Sequence, residues 1–200
     1  MTMEPQFDTV TRALEMLLDQ LYYWARRAVE QRREGGEREI ADRMLTLATE
    51  NLERFVTTLL DCFRTIDLVR TPTPTSEVVA ALVRRARDET TAASVVVRED
   101  TETTVLVDPT QLARVWSAIV RRLAAGTGAF EVTAASAPRN DRRGVEILVR
   151  RSAPRSLAAP DLTTELEWAL AQRIIELHGG ELREDPGTRV RAFVLFLPAG

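Results

Sequence analysis

The sequence of 200 residues contains no lysine, one histidine and one cysteine. Cys62 has no second cysteine with which to form a disulfide, and a single histidine leaves too few ligands for a structural zinc site. The absence of lysine excludes catalysis through a lysine nucleophile or a Schiff base. We therefore expect neither a disulfide nor a bound metal ion.

Long apolar runs are also missing. No stretch approaches the roughly 20 residues that a membrane-spanning helix needs, and Met1 to Asp8 lack the layout of a secretory signal. We expect a cytoplasmic protein with no membrane partner. Its 27 basic and 30 acidic residues are interspersed, whereas nucleic-acid binding requires a clustered basic face. Nucleic acid is therefore not an expected partner.

The first 70 residues carry two heptad patterns. Apolar residues alternate steps of three and four from Phe7 to Ala28, and again from Ala41 to Val69. This spacing predicts two helices of roughly 27 to 30 residues each. We expect Gly35 and its neighbour to end the first helix in a tight turn. A connection this short requires an antiparallel hairpin.

Further apolar residues lie beside each heptad pattern, so each helix has more apolar surface than one partner helix can cover. We therefore predict a homodimer in which two hairpins form a four-helix bundle. The predicted dimer core consists of Leu14, Leu17, Leu18, Leu21, Leu52, Phe55 and Leu59.

The first helix also contains a run of aromatic and basic residues, the composition of interface hot spots. The predicted partner-binding residues are Tyr22, Tyr23, Arg26 and Arg27, with Glu50 and Arg54 of the second helix at the same level. In the alternative interpretation, Tyr22 packs in the dimer core and Tyr23 lies along the surface.

The alternating prolines that follow Arg70 cannot continue a helix and favour an extended linker, so we predict domains 1–71 and 72–200. In the second domain, Ser76 is the expected N-cap of a helix over 77–89. Asp108 and Pro109 predict the start of a helix to about 125. The last helix should end at Gly179.

Strands are predicted over 94–98, 104–107, 130–135, 145–150, 181–183 and 190–197. Strands with helices between them indicate one mixed sheet that is covered on one face by helices. The predicted fold class is α+β, with an N-terminal antiparallel helical hairpin followed by an α/β sandwich.

The order of three motifs resembles the dimerisation and catalytic domains of sensor histidine kinases. These are the hairpin end Leu-Leu-Asp-Cys-Phe-Arg (59–64), the Asp-Pro-x-x-Leu helix start at Asp108, and Ile-Ile-Glu-Leu-His-Gly-Gly (174–180). The resemblance implies that the α/β sandwich is of the histidine-kinase ATPase type.

The chain departs from this family at the positions that carry its chemistry. Where the resemblance implies a phosphate-accepting histidine on the first helix, Ala13 stands at or near the position. The one histidine, His178, falls in the turn after the last helix, and we expect it to satisfy backbone groups there. At the two positions implied to be asparagines, one of which holds magnesium, the chain has Ala118 and Arg122.

The adenine-reading aspartate and the phosphate-binding glycines that the resemblance implies are also replaced. Arg151 stands at the aspartate position, Ala153 and Arg155 at the first glycine pair, and Glu165 and Glu167 at the second. A separate candidate binding site is basic and comprises Arg142, Arg143, Arg150, Arg151 and Arg155. It would accept an anion or an acidic peptide, or else these residues lie in a solvated loop.

From these departures we predict a protein that binds no cofactor and is not an enzyme. In this hypothesis it resembles histidine phosphotransferases with a degenerate ATP-binding domain. It acts as a dimeric scaffold that binds a response-regulator receiver domain or another signalling protein. The alternative is a nucleotide or small-ligand sensor, or an ATPase, with a remodelled pocket.

Overall fold

The computed structural model describes residues 4–30, 35–89, 95–124, 129–139, 142–154, 162–185 and 190–200. The chain forms two compact units, Met1–Arg64 and Thr65–Gly200. The described part contains five helices and seven strands, which makes an α+β protein as predicted. The first unit ends at Arg64, whereas the sequence suggested a boundary after Thr71.

The first unit consists of α1 (Glu4–Glu30) and α2 (Gly35–Phe63), which pack against each other. Their lengths of 27 and 29 residues agree with the heptad patterns. Ala41, Ala48 and Phe55 are buried at intervals of seven residues, as a heptad pattern predicts.

Helix α2 differs from the prediction at both ends. Gly35 and its neighbour lie in its first turn, so they do not form a turn between the helices. It ends at Phe63, so Ile66 and Val69 lie outside it. The cause at this end is tertiary, because the backbone N–H of Val69 donates to Asp108 Oδ2 at 2.9 Å and ties this segment into the second unit.

The proline segment is extended, as predicted, but it is not a free linker. It forms β1 (Thr71–Pro74), which pairs antiparallel with β3 (Thr104–Val107). Prolines suit this position because a strand with an open edge needs no N–H on that side. The second unit therefore has a two-stranded sheet that the sequence did not predict.

Helix α3 (Thr75–Glu89) begins at Thr75, so Ser76 is not its N-cap. The N–H and the hydroxyl of Thr75 both donate to the carbonyl of Thr103, at 3.0 and 2.6 Å. One face of α3 is apolar, and its five apolar residues are buried: Val78, Val79, Leu82, Val83 and Ala86.

The larger sheet has five strands in the order β2-β4-β5-β7-β6. They are β2 (Val95–Asp100), β4 (Phe130–Arg139), β5 (Arg142–Pro154), β6 (Glu181–Glu184) and β7 (Val190–Pro198). β2 is parallel to β4, and the other neighbours are antiparallel, so the sheet is mixed as predicted. β4 and β5 are longer than predicted because their ladder continues to the pair Arg139 and Arg142.

The remaining helices are α4 (Pro109–Ala124) and α5 (Leu162–Leu177). The start of α4 is confirmed, because Asp108 Oδ1 accepts the backbone N–H groups of Thr110 and Gln111 at 2.9 and 3.1 Å. After α5, Gly179 has a φ of 78°, the left-handed conformation expected of a helix-ending glycine.

Candidate functional site

Two consecutive arginines in the last turn of α4 pair with two glutamates of α5. Arg122 Nη1 donates to Glu165 Oε1 at 3.0 Å, and Arg121 Nη1 donates to Glu167 Oε1 at 2.6 Å. We call these four residues the α4–α5 ion-pair cluster. Three of its members were singled out from the sequence at nucleotide-site positions, and the structure does bring them together. Arg121 was missed.

The carbonyl end of α4 is satisfied by two further arginines. Arg191 Nη1 donates to the carbonyl of Arg122 at 3.1 Å, and Arg151 Nη1 donates to that of Leu123 at 2.6 Å. Cations at a helix C-terminus also interact favourably with the helix dipole. Arg151 is buried, with its guanidinium 5.1 Å from the ring centre of Phe130. At the position implied for an adenine-reading aspartate, the chain therefore has a helix cap.

The cluster extends to α3 through Glu89. Arg85 Nη2 lies 2.7 Å and Arg121 Nη2 lies 3.6 Å from Glu89 Oε1, and Arg85 Nε donates to Ser117 Oγ at 2.8 Å. Burial raises the pKa of Glu89, against the opposing effect of Arg121 and Arg85. The i, i+4 spacing of Arg85 and Glu89 is a sequence signal that was available.

Arg122 has an enclosed environment. Its side chain is 10% exposed, and its guanidinium lies 5.0 Å from the ring centre of Trp168. Trp168 in turn contacts Phe193, with ring centres 4.7 Å apart. The Nε of Arg122 is buried and has no hydrogen-bond partner among the described residues. Its guanidinium is therefore only partly satisfied.

The donors at this place do not fit magnesium. A guanidinium offers N–H donors alone, whereas magnesium requires oxygen ligands. Ala118, at the other implied asparagine position, is buried and has no polar side chain. Within the described residues, no group of three or more His, Cys, Asp and Glu side chains could hold a metal ion. A nucleotide bridged through magnesium at Arg122 is therefore not supported by these side chains.

The separate basic candidate is not a single patch. Arg150 points to the opposite side of the sheet from Arg151, because consecutive strand residues alternate faces. Its Nη2 lies 2.8 Å from Glu131 Oε2. Arg142 and Arg143 lie at the other end of β5, and Arg155 lies outside the described residues.

Both ring nitrogens of His178 form hydrogen bonds with backbone groups. Nδ1 donates to the carbonyl of Ile174 at 2.7 Å, and Nε2 accepts the backbone N–H of Asp108 at 2.9 Å, which defines the neutral tautomer. Burial lowers the pKa of His178. The prediction that it satisfies backbone groups in the turn is confirmed, and the histidine joins the end of α5 to the start of α4.

Asp108 has two roles. Burial alone would raise its pKa, but the backbone N–H groups of Val69, Gln111 and Thr110 hold the pKa of this carboxyl below its usual value. It thus caps α4 and anchors the segment that precedes β1.

The predicted partner-binding residues all lie on the hairpin. Tyr22 and Tyr23 are 72% and 53% exposed. Arg26, Arg27 and Glu50 are exposed too, whereas Arg54 is half-buried. Their binding role stays a prediction.

One exposed face of α1 forms a shallow surface patch beside Tyr23. Its residues are Glu15, Met16, Asp19, Gln20, Tyr23 and Trp24. The rings of Tyr23 and Trp24 meet edge to face, with centres 5.0 Å apart, which fixes the orientation of the exposed tyrosine.

The predicted dimer-core residues differ in exposure within one chain. Phe55 is fully buried, Leu18 is exposed, and the remaining five are half-buried: Leu14, Leu17, Leu21, Leu52 and Leu59. The dimer itself stays a prediction.

No protein-family model and no curated protein sequence matches this chain. Solved structures do share its fold, which is histidine-kinase-like, as the sequence resemblance predicted. The Acinetobacter baumannii histidine kinase AdeS is 15% identical to this chain, and the TM-score of the match is 0.67. The match covers 92% of this chain and 96% of the AdeS chain. The mycobacterial sensor histidine kinase MprB is 21% identical to this chain, with a TM-score of 0.51. That match covers 66% of this chain and 98% of the MprB chain.

ShkA, solved at full length in complex with AMPPNP, is 15% identical, with a TM-score of 0.60. That match covers all of this chain and 46% of ShkA. This chain therefore corresponds to about half of that protein.

The prediction that the chain is not an enzyme is wrong. The solved structures that share its fold are histidine kinases, which are enzymes, and nothing in the described residues shows inactivity. The loss of family residues is not by itself a loss of phosphate chemistry, because arginine is also a phosphate ligand. Among the described residues, no helix is long and apolar enough to cross a membrane.

Proposed function

We propose that this protein acts in two-component signal transduction as a homodimer whose helical hairpin binds a response-regulator receiver domain or a related signalling protein. The histidine-kinase-like fold supports this class of function. The observation that carries the proposal is the surface of α1, which presents apolar and aromatic side chains on two different sides.

One side suits a second copy of the chain. Leu18, Tyr22 and Val29 are spaced by four and seven residues, so they form one stripe beside the face that packs on α2. All three are exposed in the single chain. On α2, Leu60 and Phe63 are exposed in the same way, at a spacing of three. A second hairpin that covers these stripes would complete a four-helix bundle.

The other side suits a partner protein. Tyr23 lies roughly 100° around the helix from Tyr22 and belongs to the same shallow surface patch as Met16. Glu15 and Asp19 lie toward one end of this surface and Arg27 toward the other. An anchored aromatic residue between opposite charges is the arrangement of an interface hot spot with a defined orientation.

The dimer is tested by sedimentation velocity over a range of concentrations. We expect the wild-type chain to have the mass of a dimer and Leu60→Glu to be monomeric, because a charge in the interface is costly. Asn51→Glu, which introduces the same charge at an exposed position roughly 180° around α2 from Leu60, is the control. A wild-type mass that stays monomeric at every concentration contradicts the dimer.

Partner binding is tested with purified receiver domains on immobilised dimer. Tyr23→Ala with Arg27→Glu should weaken binding about 30-fold or more, since hot-spot truncations cost about 2 kcal/mol or more. Arg43→Glu, a charge reversal at an exposed residue of α2, should leave binding unchanged. Equal affinities for both dimeric variants would refute the assigned surface.

A further inference from the structure

We propose that the α4–α5 ion-pair cluster is a metal-independent anion site, in which Arg122 binds a phosphate group in place of Glu165. The structure shows the site closed by the chain's own carboxylate. This inference concerns the second unit and does not depend on the hairpin acting as a docking surface.

Arg122 has the properties of a phosphate ligand. It is enclosed by Trp168 and carries a buried Nε without a hydrogen-bond partner in the described part of the chain. Glu165 is the one carboxylate paired with it among the described residues. A guanidinium can bind two oxygens of one anion, but here Nη1 alone donates to this glutamate. A phosphate offers enough oxygens to accept hydrogen bonds from Nη1 and Nη2 together, which form one end of the guanidinium.

The surroundings favour negative charge. Glu165 lies in the first turn of α5, where the helix dipole stabilises anions, and a phosphate in its place would have the same advantage. The carbonyl end of α4, which would repel an anion, is covered by Arg191 and Arg151.

Glu165 is well suited to be displaced. Its side chain is 43% exposed, whereas that of Glu167 is 10% exposed. An ion pair with one exposed partner contributes little stability, so an external dianion can compete for Arg122. The more enclosed pair between Arg121 and Glu167 would continue to join α4 to α5.

The ligand should bind without magnesium, because Arg122 supplies positive charge where a bridging metal would otherwise be needed and cannot itself ligate one. The experiment measures, by calorimetry on the full chain, the dissociation constants of inorganic phosphate and of ADP, each in EDTA and in excess magnesium. We expect binding in EDTA that magnesium does not strengthen. Similar affinities identify a free phosphate anion as the ligand, and tighter ADP binding identifies the phosphate of a nucleotide.

Two variants and a control test the residues. Glu165→Gln should tighten binding by up to about fivefold, since it removes the competing carboxylate. Arg122→Met, which keeps the length of the stem, should abolish it. Glu176→Gln, at an exposed position of the same helix, should change nothing. If neither the wild type nor Glu165→Gln binds either ligand at millimolar concentrations, or if binding requires magnesium or survives Arg122→Met, the site does not exist.

Discussion

The two units of the chain bury their apolar residues to different extents. In β7, six consecutive residues from Ala192 to Leu197 are all buried. In α1, none of the described side chains, residues 14–29, is buried, although the helix carries a heptad pattern. Helix α2 buries Ala41, Ala48 and Phe55 but exposes Leu60.

This contrast indicates that the second unit can be stable by itself, whereas the hairpin depends on association with another surface. The second unit completes its core with its own strands and helices, so its stability should be an intrinsic property. The hairpin leaves apolar stripes uncovered, and a surface of this kind marks an interaction site. We therefore expect its stability to depend on what covers those stripes.

The largest expected effect comes from matched leucine truncations. Leu82 is fully buried, so Leu82→Ala should lower the free energy of unfolding of the second unit by about 2 to 5 kcal/mol. Leu18→Ala should change the stability of the dilute hairpin by no more than about 0.5 kcal/mol, because its side chain is already exposed. Denaturation of both variants gives the two values, and similar losses would remove the contrast.

The packing of the second unit is also tested at Gly180. A Cβ there would lie 2.2 Å from the carbonyl oxygen of Phe196 and 3.0 Å from Ile175 Cγ2, so Gly180→Ala requires α5 and β7 to separate. We expect a loss of about 3 kcal/mol by chemical denaturation. Gly179→Ala has room for the methyl group but a φ of 78°, and it should cost about 1 kcal/mol. The reverse order would contradict the tight contact.

The sequence was sufficient where the determinant is local. Asp108 caps α4 through the residues that follow it, and Gly179 ends α5 by its own conformation, so the start of α4 and the end of α5 were predicted correctly. The sequence was not sufficient where a structural element depends on pairing between residues that are far apart in the chain. Thr71 pairs with Val107, which turned an expected linker into a strand.

The candidate site was also predictable only in part: most of its residues were identified from the sequence, but the contacts between them were not. Aligning motifs identified Arg122 and Glu165, because each stands at a recognisable position in the family pattern. Alignment could not show that the two form an ion pair, since 43 residues separate them. Nor could it assign Arg151 to the carbonyl of Leu123, because a helix cap from a distant strand depends on the fold.

Concentration should affect the hairpin and not the second unit. If the exposed stripes pair two copies, a tenfold dilution reduces the stabilisation from association by about 1.4 kcal/mol. Amide hydrogen exchange resolves the two units, and we expect faster exchange in α1 and α2 with unchanged exchange in β5 and β7. Leu60→Glu should remove the dependence. Equal responses in both units would show that they unfold together.

Acid should have the smallest effect, and it should act on the second unit. His178 is neutral in the fold, and protonation would place an N–H against the backbone N–H of Asp108. Burial lowers its pKa, aided by Arg70 and opposed by the Ile174 carbonyl and Asp108. The unfolded chain therefore binds the proton more readily, so stability is complete above about pH 6.5 and falls as pH decreases below it.

The contribution of Glu89 has the opposite sign, because its pKa is raised: it lowers stability at higher pH, and this loss disappears as pH falls through the raised pKa toward the ordinary glutamate value. Exchange is therefore measured between about pH 8 and about pH 5.5, corrected for intrinsic rates, and compared with that of a variant that lacks the histidine. His178→Gln should flatten the decline in β5 and β7. Because the hairpin sequence contains no histidine, exchange in α1 and α2 should remain constant over this range, and a parallel decline there would place the acid-sensitive group elsewhere.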